Sequence, residues 1–205
     1  MKVLNLETWN RKKLYKHFAQ LKDPYFGVVI PFDVTKAYHF AKENKISFFV
    51  KYLHDCMKAI NTVDNLRYRI IEGKVVEYNV IHASATLIRE DKTFGFSFIE
   101  YNEDLNVFIN NFKKEKIRIQ NSDDLYPPVN GLDCIHCSAL PWFKFTGHKE
   151  PSSGNVESVP ELAFSKAEEQ NGKLMMNVSI NVNHALADGY HVGLFAEKFQ
   201  FYLNT

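Results

Sequence analysis

The sequence predicts an α/β fold, a two-layer sandwich in which helices cover a mixed, mostly antiparallel sheet. Three observations lead there. Turn signals at Glu72-Gly73 and Asn171-Gly172 separate β-rich stretches and read as hairpins. The stretch 174–183 alternates Met176, Val178, Ile180 and Val182 with Asn177, Ser179, Asn181 and Asn183, the period of a strand with two unlike faces. Val50, Leu53, Met57 and Ile60 recur at three- and four-residue spacing, the stripe of a helix lying on a core. At 205 residues the chain can bury one substantial core and needs no second, so 1–205 is read as a single domain.

Each element has its own signal. Thr8 is placed to cap a first helix over 9–21, where Leu14, Phe18 and Leu21 alternate with Lys13 and Lys16. The aromatic and β-branched run 25–34 reads as a strand, with Thr35 capping a short helix to Glu43 and Ser47 capping the longer one that carries the Val50 stripe. One hairpin joins 66–71 to 74–80, and a second joins 83–89 to 93–101 around Glu90-Asp91-Lys92. A helix is expected over 103–119. Pro127, Pro128 and Gly131 then break the chain ahead of a strand through Cys134, and 149–155 is the most loop-like stretch. The last hairpin feeds the strand 174–183, and 190–204, with Leu194, Phe195 and Phe199 apolar, is a half-buried helix.

Composition narrows the function. With 25 basic and 24 acidic residues the net charge is +1, and 45% of residues are hydrophobic, which excludes disorder and gives no field for nucleic acid or an anionic membrane. A small molecule or another copy of the chain is the expected partner. No apolar run approaches the ~20 residues of a membrane span. The first residues lack a signal peptide's apolar middle, so a cytoplasmic protein is expected. Three cysteines make no disulfide framework. Cys134 and Cys137 form a C-x-x-C, but residues three apart on a strand point to opposite faces, so Cys134 and Cys56 are expected to be small core residues.

The most informative stretch is His184-Ala185-Leu186-Ala187-Asp188-Gly189. A strand delivers the histidine, a helix begins at the aspartate, and an acid at that position can cap free backbone N–H groups. Imidazole titrates near neutral pH and can take and return a proton. The other histidines, His17, His39, His54, His82, His136 and His148, have no such company and read as surface or satisfied core residues, and His191 as support for the same turn. His184, Asp188 and His191 could bind metal, yet neither H-E-x-x-H nor a paired cysteine set completes a site, so no metal is expected. Ser138 or Cys137 could act as a nucleophile with His184, giving a hydrolase, but no G-x-S-x-G elbow accompanies them. A serine hydroxyl can instead donate to a developing oxyanion.

Several further segments occur in order: Trp9-Asn10-Arg11-Lys12, Leu66-Arg67, Thr93-Phe94, Leu125-Tyr126-Pro127, Ser138-Ala139-Leu140-Pro141-Trp142 and 183–192. Together with H-x-x-x-D-G they make the chain resemble the chloramphenicol acetyltransferases, within the wider acyl-CoA-dependent acyltransferases. The resemblance implies the CoA-dependent acyltransferase fold and a homotrimer with active sites at subunit interfaces. It also implies direct transfer from acetyl-CoA, a co-substrate rather than a bound cofactor, to an alcohol acceptor, nominally chloramphenicol. His184 would be the general base, Ser138 the oxyanion donor, and Asp188 with Arg11 a pair that shapes the site. Phe18, Phe26, Phe94 and Tyr126 match acceptor-pocket positions, and Trp142 and Lys166 match positions near CoA.

The pattern also departs from the family. Asn183 replaces the first of two adjacent histidines, and Phe18 stands in place of a tyrosine. Ala163 and Ala167 stand where a threonine hydroxyl and a tyrosine ring are usual. Sites built on hydrogen bonds discriminate strongly, so these losses weaken the case for chloramphenicol specifically, and the alternative is the same chemistry on a different alcohol or an amine.

Overall fold

The computed structural model describes residues 1–151 and 157–205. Strand β1 (Lys2–Val3) precedes helix α1 (Lys12–Phe18), strand β2 (Tyr25–Asp33) and helices α2 (Thr35–Glu43) and α3 (Phe48–Asn61). The hairpin of β3 (Tyr68–Ile71) and β4 (Lys74–Glu77) is followed by β5 (His82–Ile88), β6 (Phe94–Phe96) and helix α4 (Leu105–Gln120). Strand β7 (Cys134–Leu140), the long hairpin of β8 (Glu161–Gln170) and β9 (Lys173–Asn183), and helix α5 (Gly189–Leu203) complete the order.

Among the described residues the strands form two sheets, one in the order β2-β9-β8-β7-β5-β6 and a small one in the order β1-β4-β3. In the larger sheet β2–β9, β9–β8 and β5–β6 are antiparallel, while β8–β7 and β7–β5 are parallel. This is the mixed, mostly antiparallel sheet that the sequence predicts. Its hairpins turn where expected, because Glu72, Gly73, Asn171 and Gly172 all take positive φ, as the tight two-residue turn requires. Val50, Leu53, Met57 and Ile60 are buried, and α3 packs against α5, where the rings of Phe195 and Phe199 stack 5.6 Å apart. Met176, Val178, Ile180 and Val182 join the same core from β9.

The departures are local. Helix α1 starts at Lys12, since Thr8 Oγ1 donates to Asn5 O and belongs to the turn before it. Thr35 lies inside α2, and its N and Oγ1 both donate to Asp33 Oδ1. Ser47 occupies the cap position of α3 without a side-chain cap bond. The first predicted hairpin stands outside the main sheet, and the outer strand of the second shortens to β6, leaving only a bridge between Ala83 and Ile99. Of the loop expected at 149–155, residues 152–155 lie outside the described residues.

The polar face of β9 is buried as well. Asn177 Nδ2 donates to Phe145 O at 2.8 Å and Asn183 Nδ2 to Glu157 O at 2.7 Å, so the segment after β7 lies over this side of the sheet. One buried charge ties the small sheet to the large one. Arg69, 0% exposed, donates to the carbonyls of Leu66, Tyr68, Leu132 and Cys134 at 2.5–2.9 Å. Burial lowers its guanidinium to about 10, which still leaves it charged at neutral pH. Arg69→Leu should therefore strand four buried carbonyls and lower the unfolding free energy by about 3–5 kcal/mol, read as a reduced midpoint in chemical denaturation.

Candidate active site

Strand β9 hands the chain to a tight turn. The His184 amide donates to Pro24 O at 2.8 Å, and the Leu186 and Ala187 amides both donate back to Asn183 O at 3.0 Å. Asn65 Nδ2 donates to Leu186 O at 2.7 Å, bracing the turn from outside. Asp188 then caps α5 by accepting from the Tyr190 amide, as its position in the sequence suggests. His191 supports the same corner, with Nδ1 3.2 Å from the Asp188 amide and 2.8 Å from its carboxylate.

Arg11, 7% exposed, forms an ion pair with Asp188 Oδ2, and its Nη2 donates to His184 O at 3.3 Å. Burial works to raise the Asp188 carboxyl, but Arg11, His191 and the Tyr190 amide outweigh it and hold the group below its ordinary value. One cation thus grips both ends of the turn that carries the histidine.

The imidazole of His184 is clamped between rings. Phe18 stacks on it with centroids 3.9 Å apart at 11°, and Phe26 lies 4.6 Å away. His184 Nδ1 is 3.2 Å from Ala187 O. A carbonyl oxygen can only accept, so this contact assigns the hydrogen to Nδ1 and leaves Nε2 with a lone pair for a proton.

A second cluster lies around β7, with Phe49 and Tyr52 of α3 also in its wall. Ser138, Phe94, Tyr126 and Trp142 line a groove of about 850 Å³. Its wall is aromatic, since Phe96 lies 5.4 Å from Tyr126 and 5.5 Å from Phe94. Lys166 lies at the bulge of β8, where its amide donates to Phe143 O at 3.0 Å, which brings it beside Trp142 in the chain. Ala163 pairs with Ser138 across the β7–β8 ladder. Cys137 is buried in the core, and burial pushes its thiol well above the ordinary range, so it has no thiolate for a hydrolase mechanism.

The predicted residues therefore form two groups. His184, Asp188, Arg11, Phe18 and Phe26 meet at the end of β9, while Ser138, Phe94, Tyr126 and Trp142 line the groove and the Lys166 side chain, half exposed, faces Glu168 at 3.5 Å. Ser138 is level with Ala163 and Ala163 with Ser179. His184 lies five residues beyond Ser179, so the two catalytic candidates are separated by about 17 Å along the strands and about 10 Å across them. Within one chain they do not meet.

The sequence reading passes over several residues here. His136, Glu150, Glu157 and Glu161 line the groove, and His148 lines a neighbouring hollow of about 270 Å³ together with the same three carboxylates. His136 is exposed, as a surface role predicts, and His148 is half-buried; both also stand in these walls. His54 and His82 do have that role, bonded to Asn102 O and to the Tyr101 amide at 2.9 Å each.

The model of the family described as chloramphenicol acetyltransferase matches residues 1–200. The chloramphenicol acetyltransferase of Bacillus pumilus is 26% identical over 194 residues, covering 93% of this chain and 88% of that protein. One from Staphylococcus aureus is 25% identical over 205 residues, covering 97% and 96%. A solved structure of a chloramphenicol acetyltransferase matches with a TM-score of 0.87 at 28% identity, over 98% of this chain and 99% of that one. A dihydrolipoamide acetyltransferase of Azotobacter vinelandii shares the fold, with a TM-score of 0.69 at 16% identity over 97% of this chain and 88% of that one. The turn that presents His184, the groove around Ser138 and these likenesses converge: the chain belongs to the chloramphenicol acetyltransferase family and is an acyltransferase.

Proposed function

We propose that the chain is an acetyl-CoA-dependent O-acetyltransferase, in which His184 deprotonates an acceptor hydroxyl for direct attack on the thioester. The observation that carries this reading is the contact of His184 Nδ1 with Ala187 O, which leaves Nε2 as the basic atom. The acceptor hydroxyl gives its proton to Nε2 while its oxygen bonds to the acetyl carbon. The resulting oxyanion accepts a hydrogen bond from Ser138, the C–S bond then breaks, and the departing CoA thiolate takes the proton back. No acyl-enzyme forms. Trp142 and Lys166 hold CoA, and Phe18, Phe26, Phe94 and Tyr126 supply the apolar acceptor surface. Arg11 and Asp188 move no proton and act by positioning the imidazole.

The separation of His184 from Ser138 supports a site shared between chains, with His184 of one copy facing the groove of the next in a homotrimer. Chloramphenicol, which names the curated relatives, is the nominal acceptor.

His184→Ala should lower turnover by ~10²–10⁴, and Ser138→Ala by ~10²–10³, measured as free thiol released from acetyl-CoA. Neither loss should be intrinsic to a whole trimer. Unfolding and refolding the two inactive variants together should restore part of the activity, because some contacts then pair an intact His184 with an intact Ser138. Mixtures as inactive as either variant alone would refute the shared site. Asp188→Asn should cost on the order of 10²-fold in turnover by releasing the imidazole, read in the same thiol-release assay.

A further inference from the structure

We propose that Tyr52 holds the acyl donor, its hydroxyl donating a hydrogen bond to an amide carbonyl in the arm that carries the thioester; this rests on the acetyl-transfer reading above. The ladder between β5 and β7 ends at Ala85 and Cys137. Beyond that point β5 pairs with β6 from Thr86 to Ile88, and β7 pairs with β8 as far as Leu140. The two strands therefore part where Ser138 stands. Side chains from both faces of the sheet line the groove at this opening. Ser84, Thr86 and Ser138 come from one face, while Leu87 and Cys137, which belong to the core, come from the other. Phe49 and Tyr52, about one turn apart on α3, close it from the helix layer. The groove thus passes between the strand ends and reaches α3.

Tyr52 is 7% exposed, and the rings of Phe48, Phe49 and Phe164 fix its own at centroid distances of 4.9–5.5 Å. Two other tyrosines of the fold give their hydroxyls a partner: Tyr15 Oη donates to Gly73 O at 3.1 Å and Tyr25 Oη to Val159 O at 2.8 Å. Among the described residues the Tyr52 hydroxyl has no hydrogen-bond partner. Burial pushes its ionisation well above the ordinary value, so it remains a donor at every pH that suits the reaction. A donor this deep without an acceptor is unfavourable, and a carbonyl brought in by a ligand satisfies it.

Of the two substrates, the donor suits this place. Strands that part from a ladder about 4.8 Å wide leave room for a slender chain and not for a ring-bearing acceptor. Acetyl-CoA carries its thioester on such a chain, an arm unbranched near the sulfur with amide groups behind it, and an amide carbonyl is a strong acceptor. With the thioester at Ser138, the arm runs through the opening and passes Tyr52. The acceptor instead meets Ser138 on the open face of the sheet, where His184 of another copy would stand.

Tyr52→Phe tests this, since it removes the hydroxyl and keeps the ring that packs among the phenylalanines. With chloramphenicol as acceptor and thiol release as readout, KM for acetyl-CoA should rise roughly fivefold, as loss of one neutral hydrogen bond provides. The fall in kcat should be smaller, and KM for the acceptor should stay as it was. A KM for acetyl-CoA that does not rise overturns the proposal. Equal rises in KM for both substrates, together with a lowered melting temperature, overturn it too and assign the hydroxyl to packing. If the parent releases no thiol, quenching of tryptophan fluorescence gives the affinity of each protein for CoA. Weaker binding by Tyr52→Phe then upholds the held arm and rejects acetyl transfer to chloramphenicol, whereas equal affinities, or no binding by either protein, reject both.

Discussion

The geometry of the histidine depends on one charge pair. Arg11 is buried at the start of α1, where an unpaired guanidinium would be strongly destabilising, and Asp188 is the acid that meets it. Because Asp188 also caps α5 and Arg11 also holds the His184 carbonyl, the pair fixes the turn, the last helix and the first helix against each other. Phe18 lies seven residues after Arg11, two turns along the same side of α1. The short helix thus has a charge at one end to hold the turn and a ring at the other to hold the imidazole. Seven helical residues suffice for both tasks.

The sheet separates structural and chemical duties by face. Toward the helices it presents Ile135, Leu162, Phe164, Val178 and Ile180, all buried in the core. On the other side it presents His136, Ser138, Glu161, Ser179 and Asn181, the residues of the groove and its surroundings. Strand register then decides the distances. Nothing in one copy can bring the end of β9 to the middle of β7, since both are fixed in the same hydrogen-bonded ladder. The proposed trimer answers that geometric demand by meeting a groove with a corner from another copy.

Much of this was legible locally. The alternation in 174–183, the stripe on α3, the two tight turns and the acid before α5 each follow from a few neighbouring residues, and each was found where the pattern put it. The burial of the Asn177–Asn183 face was not, because alternation reports that a strand has two faces and not what covers the polar one. Arg69 lay hidden for a similar reason: its four carbonyl partners are spread from Leu66 to Cys134. The convergence of Glu150, Glu157 and Glu161 was equally invisible, as two belong to an irregular connection whose path no periodicity records. The division of the site into two groups required the register of β7, β8 and β9, which side-chain order alone does not contain.

The three cysteines have a practical bearing. Cys56, Cys134 and Cys137 are all free and all buried, and burial raises each thiol above its ordinary range. Cys137 stands in the wall of the groove but is only 3% exposed, and burial disfavours its thiolate, so none of the three offers the nucleophile that forms a mixed disulfide with free CoA or takes the acetyl group from the thioester. The enzyme should tolerate oxidising conditions that cap exposed cysteines, and a thiol-reactive dye added to the native protein would colour with released CoA alone.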